Sequence, residues 1–142
     1  MISIRESITT TRPREEAFAY VADFRTVAEW DPGIEASERT GGEGGVGTTY
    51  RVTAAFRGRS IPMTYEVTEH ERPDRIVLRG EGAAVHAVDT IEFFDHDGGT
   101  RIVYSADFRM KGLFRLAEPF MGGMFRDLGH KAIAGLDRAL QR

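Results

Sequence analysis

Residues 88–112, VDTIEFFDHDGGTRIVYSADFRMKG, decide the fold class of this chain. Apolar side chains recur at every second position on both sides of Gly98 and Gly99, which is the period of a strand with one buried face. Two adjacent glycines after Asp97 are typical of a tight turn between antiparallel strands. The stretch therefore predicts a β-hairpin. Its apolar faces contain Ile91 and Phe93 in the first strand and Ile102, Tyr104, Ala106, Phe108 and Met110 in the second.

The same period of two begins near residue 34 and continues, interrupted by turns, to residue 110. We expect five or six consecutive antiparallel strands there, joined by short turns. A further strand precedes them at the N-terminus, where Ile2, Ile4 and Ile8 share one parity. The central strands carry apolar faces formed by Tyr50, Val52, Ala54 and Phe56 in one strand and by Ile61, Met63, Tyr65 and Val67 in the next.

Helical spacing occurs on both sides of the strand region. Pro13 is typical of a first helical turn, and Asp23 is a typical cap for a second short helix that ends before Pro32. In residues 113–140 the apolar side chains form a broad helical stripe, so we expect one long helix lying across an apolar surface. Pro119 predicts a kink or a late start of that helix. This order predicts an α+β fold with the helices on one face of the sheet.

The composition excludes several kinds of site. No cysteine is present, which excludes disulfides, thiolate zinc sites and cysteine nucleophiles. The net charge of −3 gives no electrostatic reason to expect a nucleic acid partner. The four histidines lack metal-binding spacing, and we expect neither a metal nor another cofactor. No apolar run suits a signal peptide or a stable membrane insertion, so we expect a soluble, cytoplasmic protein with one domain over residues 1–142.

Three phrases carry a resemblance to a known family. FAYVADFRTVAEWDPGI, the hairpin sequence quoted above and LFRLAEPF, in this order, resemble the polyketide cyclase/dehydrase branch of the START-like (SRPBCC) superfamily. The resemblance covers essentially the whole chain. It implies the helix-grip fold, in which a curved antiparallel sheet of about six or seven strands and two short helices close around a long C-terminal helix. It also implies a hydrophobic cavity between sheet and helix that holds a small apolar ligand.

Residues 41–47, GGEGGVG, contain a formal G-x-G-x-x-G match at Gly42, Gly44 and Gly47. A dinucleotide site requires such a loop to begin a helix, whereas this one begins a strand at Thr48. The spacing is similar to the glycine-rich loop of the birch-pollen-allergen relatives in the same superfamily. We therefore predict a flexible hairpin, and a mobile loop beside a cavity would gate it. Alanine at Gly44 and Gly45 would then slow ligand exchange.

The parity of the strands predicts which side chains face the C-terminal helix. Two alternatives stay open, because periodicity does not distinguish a filled core from side chains that line a cavity. Trp30 either packs its short helix on the sheet or contacts a ligand near the entrance. The remaining predicted inner side chains are Tyr50, Phe56, Met63, Tyr65, Ile91, Phe93, Tyr104 and Phe108 on the sheet and Met121, Phe125 and Leu128 on the helix.

Two carboxylates fall on apolar parities, Asp89 beside Ile91 and Glu6 between Ile4 and Ile8. An inward carboxyl in an apolar pocket has a raised pKa and suits general acid–base catalysis. The alternatives are structural. Asp89 caps a bulge after residues 80–84, or it bonds Arg79 or Tyr104, and Glu6 is exposed to water on an edge strand. Tyr104 or Tyr65 would polarise a ligand carbonyl, or else bond protein groups.

These observations leave three functions open. The first is a carrier or sensor that binds a lipid-like or polyketide-like molecule in its cavity. The second is a polyketide cyclase or dehydratase in which Asp89 is the acid–base group and Tyr104 or Tyr65 polarises the carbonyl. The third is a chaperone-type protein-interaction module, which predicts a filled core and an exposed apolar patch. A homodimer through the sheet or the long helix is possible in each case.

Overall fold

The computed structural model describes residues 1–141, and Arg142, the last residue of the predicted domain, lies outside them. One seven-stranded antiparallel sheet curves around a long C-terminal helix. The elements are β1 (Ile2–Thr10), α1 (Arg14–Ala22), α2 (Val27–Trp30), β2 (Ile34–Gly41), β3 (Thr49–Phe56), β4 (Arg59–Glu71), β5 (Arg75–Glu81), β6 (Val85–His96), β7 (Gly99–Met110) and α3 (Gly122–Leu140). Short 3₁₀ turns occupy Phe24–Thr26, Gly112–Leu116 and Glu118–Phe120.

The strand order β1-β7-β6-β5-β4-β3-β2 places six consecutive strands side by side, which confirms the predicted meander. The first strand pairs with the last, so β1 and β2 form the two edges. Across β1, β7 and β6 the register aligns Glu6, Tyr104 and Ile91. Directly opposed residues in antiparallel strands point to the same face, so all three side chains lie on the inner face, towards the helices.

The helices bury the inner face unevenly. Phe18 of α1 packs edge-on against Phe93 of β6, with ring centroids 5.2 Å apart. In α3 the C-terminal half supplies Ile133, Leu136 and Leu140 to the core, whereas the N-terminal half is only partly buried. The sheet and α3 are therefore sealed together at one end of the helix and less tightly at the other.

Two glycines allow α3 its close approach. A Cβ on Gly135 would lie 1.8 Å from the carbonyl oxygen of Trp30, and a Cβ on Gly129 would lie 2.6 Å from Ile4 Cδ1. The first of these contacts is with backbone, which cannot move aside as a side-chain tip does. The helix thus rests directly on α2 at Gly135, and only glycine fits there.

The long helix begins later than the apolar stripe predicts. Residues 112–120 form 3₁₀ turns, and Pro119 lies in the first positions of the second turn, where its missing N–H is tolerated. The prediction that Leu113, Leu116 and Phe120 lie across an apolar surface is wrong, because all three are exposed. The predicted late start at Pro119 is confirmed. Among residues 1–141 no helix is long and apolar enough to cross a bilayer.

The glycine-rich segment connects β2 to β3 as a hairpin. Gly42, Gly44 and Gly47 have φ of 82°, 113° and 90°, which L side chains rarely adopt. The buried Thr48 closes the loop, since its hydroxyl accepts a hydrogen bond from Gly44 N at 2.8 Å. Glycine is therefore required here by local backbone geometry, as in a turn.

Candidate functional site

Asp89 lies at the centre of the inner face. The alternation of β6 places it between Ala87 and Ile91, opposite Ala106 of β7, and only 4% of it is exposed. Tyr104 donates a hydrogen bond from its hydroxyl to Asp89 Oδ2. The other oxygen, Oδ1, is buried and has no hydrogen-bond partner among the described residues. The core thus holds a carboxyl group that is only half satisfied.

This environment changes the titration of both groups. Burial raises the pKa of Asp89 to about 7, since a charged carboxylate loses its hydration. The bond from Tyr104 opposes part of that shift, and the nearby carboxyls of Asp31 and Asp107 add to it. Burial and the charge of Asp89 keep the pKa of Tyr104 well above its usual value. Near neutral pH Asp89 therefore exchanges its proton while Tyr104 keeps its own.

A second carboxyl, Asp31, acts electrostatically on Asp89 and Tyr104, and sequence reasoning missed it. It follows α2, and its Oδ1 accepts a hydrogen bond from Gly33 N at 2.8 Å. Burial raises the pKa of Asp31 to about 6. Its charge also contributes to the raised pKa values of Asp89, Tyr65 and Tyr104. An aspartate before Pro-Gly is typical of a turn, so the sequence pattern alone does not reveal this second role.

Tyr65 and Trp30 complete the surroundings of Asp89. A Cβ on Gly80 would lie 2.6 Å from Tyr65 Cζ, so the phenol ring of Tyr65 lies directly on that glycine. The indole of Trp30 meets the ring of Tyr104 edge-on, with centroids 6.1 Å apart. Its Nε1 lies 3.4 Å from the hydroxyl of Thr26. We call Asp31, Tyr65, Asp89 and Tyr104 the acidic cluster.

The apolar candidates fall into separate groups. Phe108 of β7 and Phe125 of α3 pack with centroids 4.6 Å apart, and both rings remain partly exposed, as does Met121. Phe93 instead packs under α1, and Tyr50 packs edge-on against Phe24 with centroids 5.8 Å apart. Met63 and Ile91 are buried in the core.

Phe56 lies apart from the rest of the predicted lining. It ends β3 at the turn to β4, where the guanidinium of Arg57 lies 5.4 Å from its ring centroid. Which of these side chains contact a ligand stays a prediction. Phe108, Met121 and Phe125 lie at the loosely covered N-terminal end of α3.

Glu6 differs from Asp89 although both face inward. His130 of α3 lies 2.5 Å from it, Nδ1 to Oε1, and about a quarter of the Glu6 side chain is exposed. Glu6 therefore connects the edge strand β1 to the helix.

One surface cleft lies away from the acidic cluster, and a second has a residue of the cluster in its wall. The larger, of about 590 Å³, is lined by Met1, His86, Arg109, Lys111 and Arg115 among others. The smaller, of about 260 Å³, has Trp30 and Asp31 in its wall. Within residues 1–141 no set of three or more His, Cys, Asp and Glu side chains is placed to hold a metal ion.

A curved antiparallel sheet closed on a long C-terminal helix is the helix-grip fold of START-like proteins. The chain belongs to the polyketide cyclase/dehydrase and lipid transport family, whose sequence model matches residues 1–141. The resemblance drawn from the three phrases is thereby confirmed. Membership supports the binding of hydrophobic molecules in general, without choosing between carrier and cyclase.

Solved structures share this fold at low sequence identity. TTHA0849 from Thermus thermophilus superposes with a TM-score of 0.83 at 19% identity, covering 98% of this chain and 97% of that one. The ZhuI aromatase/cyclase from Streptomyces sp. R1128 gives 0.74 at 16% identity, with 99% and 93% covered. A START superfamily protein from Mycobacterium smegmatis gives 0.72 at 17% identity, with 97% and 93% covered. No curated protein sequence gives a significant match.

Proposed function

We propose that the protein binds a small apolar molecule between the inner face of the sheet and α3, as a carrier or sensor. The acidic cluster is the polar anchor of that molecule. The observation that carries this proposal is Asp89 Oδ1, a buried acceptor without a partner among the described residues. Leaving such a group unpaired costs about 1–3 kcal/mol. A hydrogen-bond donor on the ligand would recover that free energy.

The charges around the cluster favour one ligand chemistry. The groups that shift the pKa values of Asp89, Tyr65 and Tyr104 electrostatically are carboxyls and phenols. An anionic ligand would meet repulsion from these carboxyls when they are ionised. A neutral molecule with a hydroxyl group would donate to Asp89 and meet no such repulsion. We therefore expect a hydroxylated apolar ligand rather than a fatty acid.

The loosely covered end of α3 is the expected route to this site. Tyr104, Phe108 and Phe125 lie between sheet and helix, yet each keeps part of its surface exposed. A ligand that displaced solvent from these rings would gain about 25 cal/mol per Å² of apolar surface buried.

Binding can be tested with two probes that share one apolar chain. Native mass spectrometry of freshly purified protein shows whether a molecule co-purifies. Displacement of a neutral apolar dye then compares 1-dodecanol with dodecanoate at neutral pH. We expect saturable binding, with the alcohol preferred. Preference for dodecanoate would contradict the anchor, and absence of any saturable site would contradict the function.

Two variants test whether the carboxyl group of Asp89 determines the ligand preference. Asp89→Asn keeps the shape of the side chain and removes its charge, so dodecanoate should gain affinity relative to the alcohol. Asp97→Asn is the matched control, because Asp97 is exposed in a hairpin with a φ of 46° that asparagine tolerates. An equal change in both variants would mean that the effect does not come from the cluster.

A second candidate function, acid–base catalysis on a polyketide-like substrate, is favoured by the pKa of Asp89. A group with a pKa of about 7 is well suited to exchange a proton at neutral pH. The single hydroxyl proton of Tyr104 is already given to Asp89, so Tyr65 is the better donor to a substrate carbonyl. Tyr104→Phe removes a bond that lowers the pKa of Asp89. The corresponding limb of a pH–rate profile should therefore move to higher pH, and an unmoved limb would exclude Asp89.

A further inference from the structure

Residues 112–120 expose an unusual concentration of apolar side chains. Leu113, Phe114, Leu116 and Phe120 are 85%, 55%, 77% and 88% exposed, and we call them the apolar patch. Single exposed apolar residues are common on protein surfaces and require no explanation. Four large ones within eight consecutive residues form a contiguous feature of the kind that marks an interaction surface.

The surroundings of the patch are cationic although the protein is not. Residues 109–126 contain Arg109, Lys111, Arg115 and Arg126 against the single acidic residue Glu118, in a chain whose net charge is −3. Glu118 is itself engaged by the N-terminal ammonium at 2.8 Å and by Met110 N at 3.0 Å. Three of these cations line the cleft of about 590 Å³ beside the patch together with Glu118, and one of the three, Lys111, is paired with Glu81 at 2.6 Å. Positive charge is therefore concentrated where the apolar surface is exposed.

The patch also leads towards the interior. The 3₁₀ segment ends where α3 begins, and three residues into α3 Phe125 packs on Phe108 of the inner face. Side chains of the N-terminal half of α3 are only partly buried. The patch is thus continuous with the end of the helix that the core holds least firmly.

We propose that residues 109–126 dock the protein reversibly on an anionic lipid bilayer. The apolar patch enters the boundary between headgroups and acyl chains, and the surrounding cations bind the anionic headgroups. A second copy of this chain suits the surface poorly, since a two-fold interface would bring the same cations of both copies together. This proposal does not depend on the interior site, whose binding is measured without lipid.

The charge of the cations and the apolar area of the patch set how much each side chain should contribute to membrane binding. A cation near an anionic membrane surface contributes about 1 kcal/mol, so Arg115→Gln should weaken binding about fivefold. Burying a leucine side chain contributes about 1.5–3 kcal/mol, so Leu116→Ser should weaken binding at least about tenfold. Both side chains are exposed, so neither change should alter the thermal unfolding temperature.

Flotation with lipid vesicles tests the proposal directly. Wild type should float with vesicles of phosphatidylcholine and phosphatidylserine, float poorly with phosphatidylcholine alone, and lose binding as salt is raised. The controls are Val46→Ser, which removes a 68% exposed apolar side chain elsewhere, and Arg5→Gln, which removes an exposed cation of β1.

Each other outcome overturns the proposal. The proposal fails if wild type does not float, if it floats equally with both vesicles, or if the control variants lose binding as much as the patch variants. Sedimentation that shows a dimer dissociated by Leu116→Ser would assign the patch to a second copy. If Leu116→Ser abolished binding to a protein partner and left vesicle binding unchanged, the apolar patch would be assigned to that partner.

Discussion

Replacing Asp89 with asparagine should change the pH dependence of stability. The folded pKa of Asp89 is raised from 3.8 to about 7. Ionising it therefore opposes folding: wild-type stability is highest below the unfolded pKa and falls as the pH rises from about 4 to about 7. The full shift corresponds to about 4 kcal/mol. The asparagine side chain does not titrate, so the variant lacks this loss.

Wild type should be more stable than Asp89→Asn at the acid end of this pH range, and the order should be equal or reversed at the neutral end. Below about pH 4.5 the variant should be less stable than wild type, because a buried amide leaves donors unpaired at a cost of about 1–3 kcal/mol. Above about pH 7.5 wild type carries the buried charge, and the variant should equal or exceed its stability. The difference between the two free energies of unfolding should thus shift by about 3–4 kcal/mol between these conditions.

Urea denaturation followed by the fluorescence of Trp30, the only tryptophan, measures this difference. Circular dichroism at each pH provides the second probe for two-state behaviour. Asp97→Asn, in an exposed turn, should show no comparable shift. A stability difference between wild type and Asp89→Asn that is the same at both pH values would refute the raised pKa, and with it the acid–base candidate.

Four further substitutions test the packing and the loop. Gly135→Ala should destabilise the protein by at least about 1–3 kcal/mol in urea, because its Cβ overlaps backbone, whereas Gly123→Ala meets nothing closer than 3.8 Å and should stabilise α3 by up to about 1 kcal/mol. Gly80→Ala should displace the ring of Tyr65 and weaken ligand binding in the dye assay; unchanged affinity would remove Tyr65 from the site. Gly45→Ala, in open space, should slow ligand dissociation in stopped-flow measurements if the loop gates the site, and an unchanged rate would leave it a turn.

Strand periodicity was sufficient to predict the sheet and the side of it on which Asp89 lies. In a strand, successive side chains point to opposite faces of the sheet, so the apolar period of two shows which face a residue occupies. The register of β6 and β7 places opposed residues on the same face. The pairing of β1 with β7 does not follow from any local pattern, because it joins the two ends of the chain. The resemblance to the family implied a curved sheet of about six or seven strands around the C-terminal helix, but it did not say which strand pairs with β1.

Local patterns failed where a residue's partner is distant in sequence. Asp31 reads as a turn residue, and its electrostatic link to Asp89 exists only after α2 packs on the sheet. Leu113 and Leu116 continue the helical stripe of α3, yet the 3₁₀ turns before Gly122 rotate them out to solvent. Hydrophobic periodicity predicts a buried face only while the backbone keeps one helical geometry.

The position of Asp89 indicates function more strongly than stability. A neutral or apolar side chain of the same shape would avoid both the buried charge and the unpaired oxygen, so the core would be more stable above neutral pH without this carboxyl. The N-terminal half of α3 is likewise packed less completely than its C-terminal half. A ligand whose hydroxyl group bonds Asp89 and whose apolar body packs on Phe108 and Phe125 would satisfy the unpaired oxygen and cover these rings. Ligand binding and closure of α3 are therefore expected to be one coupled event.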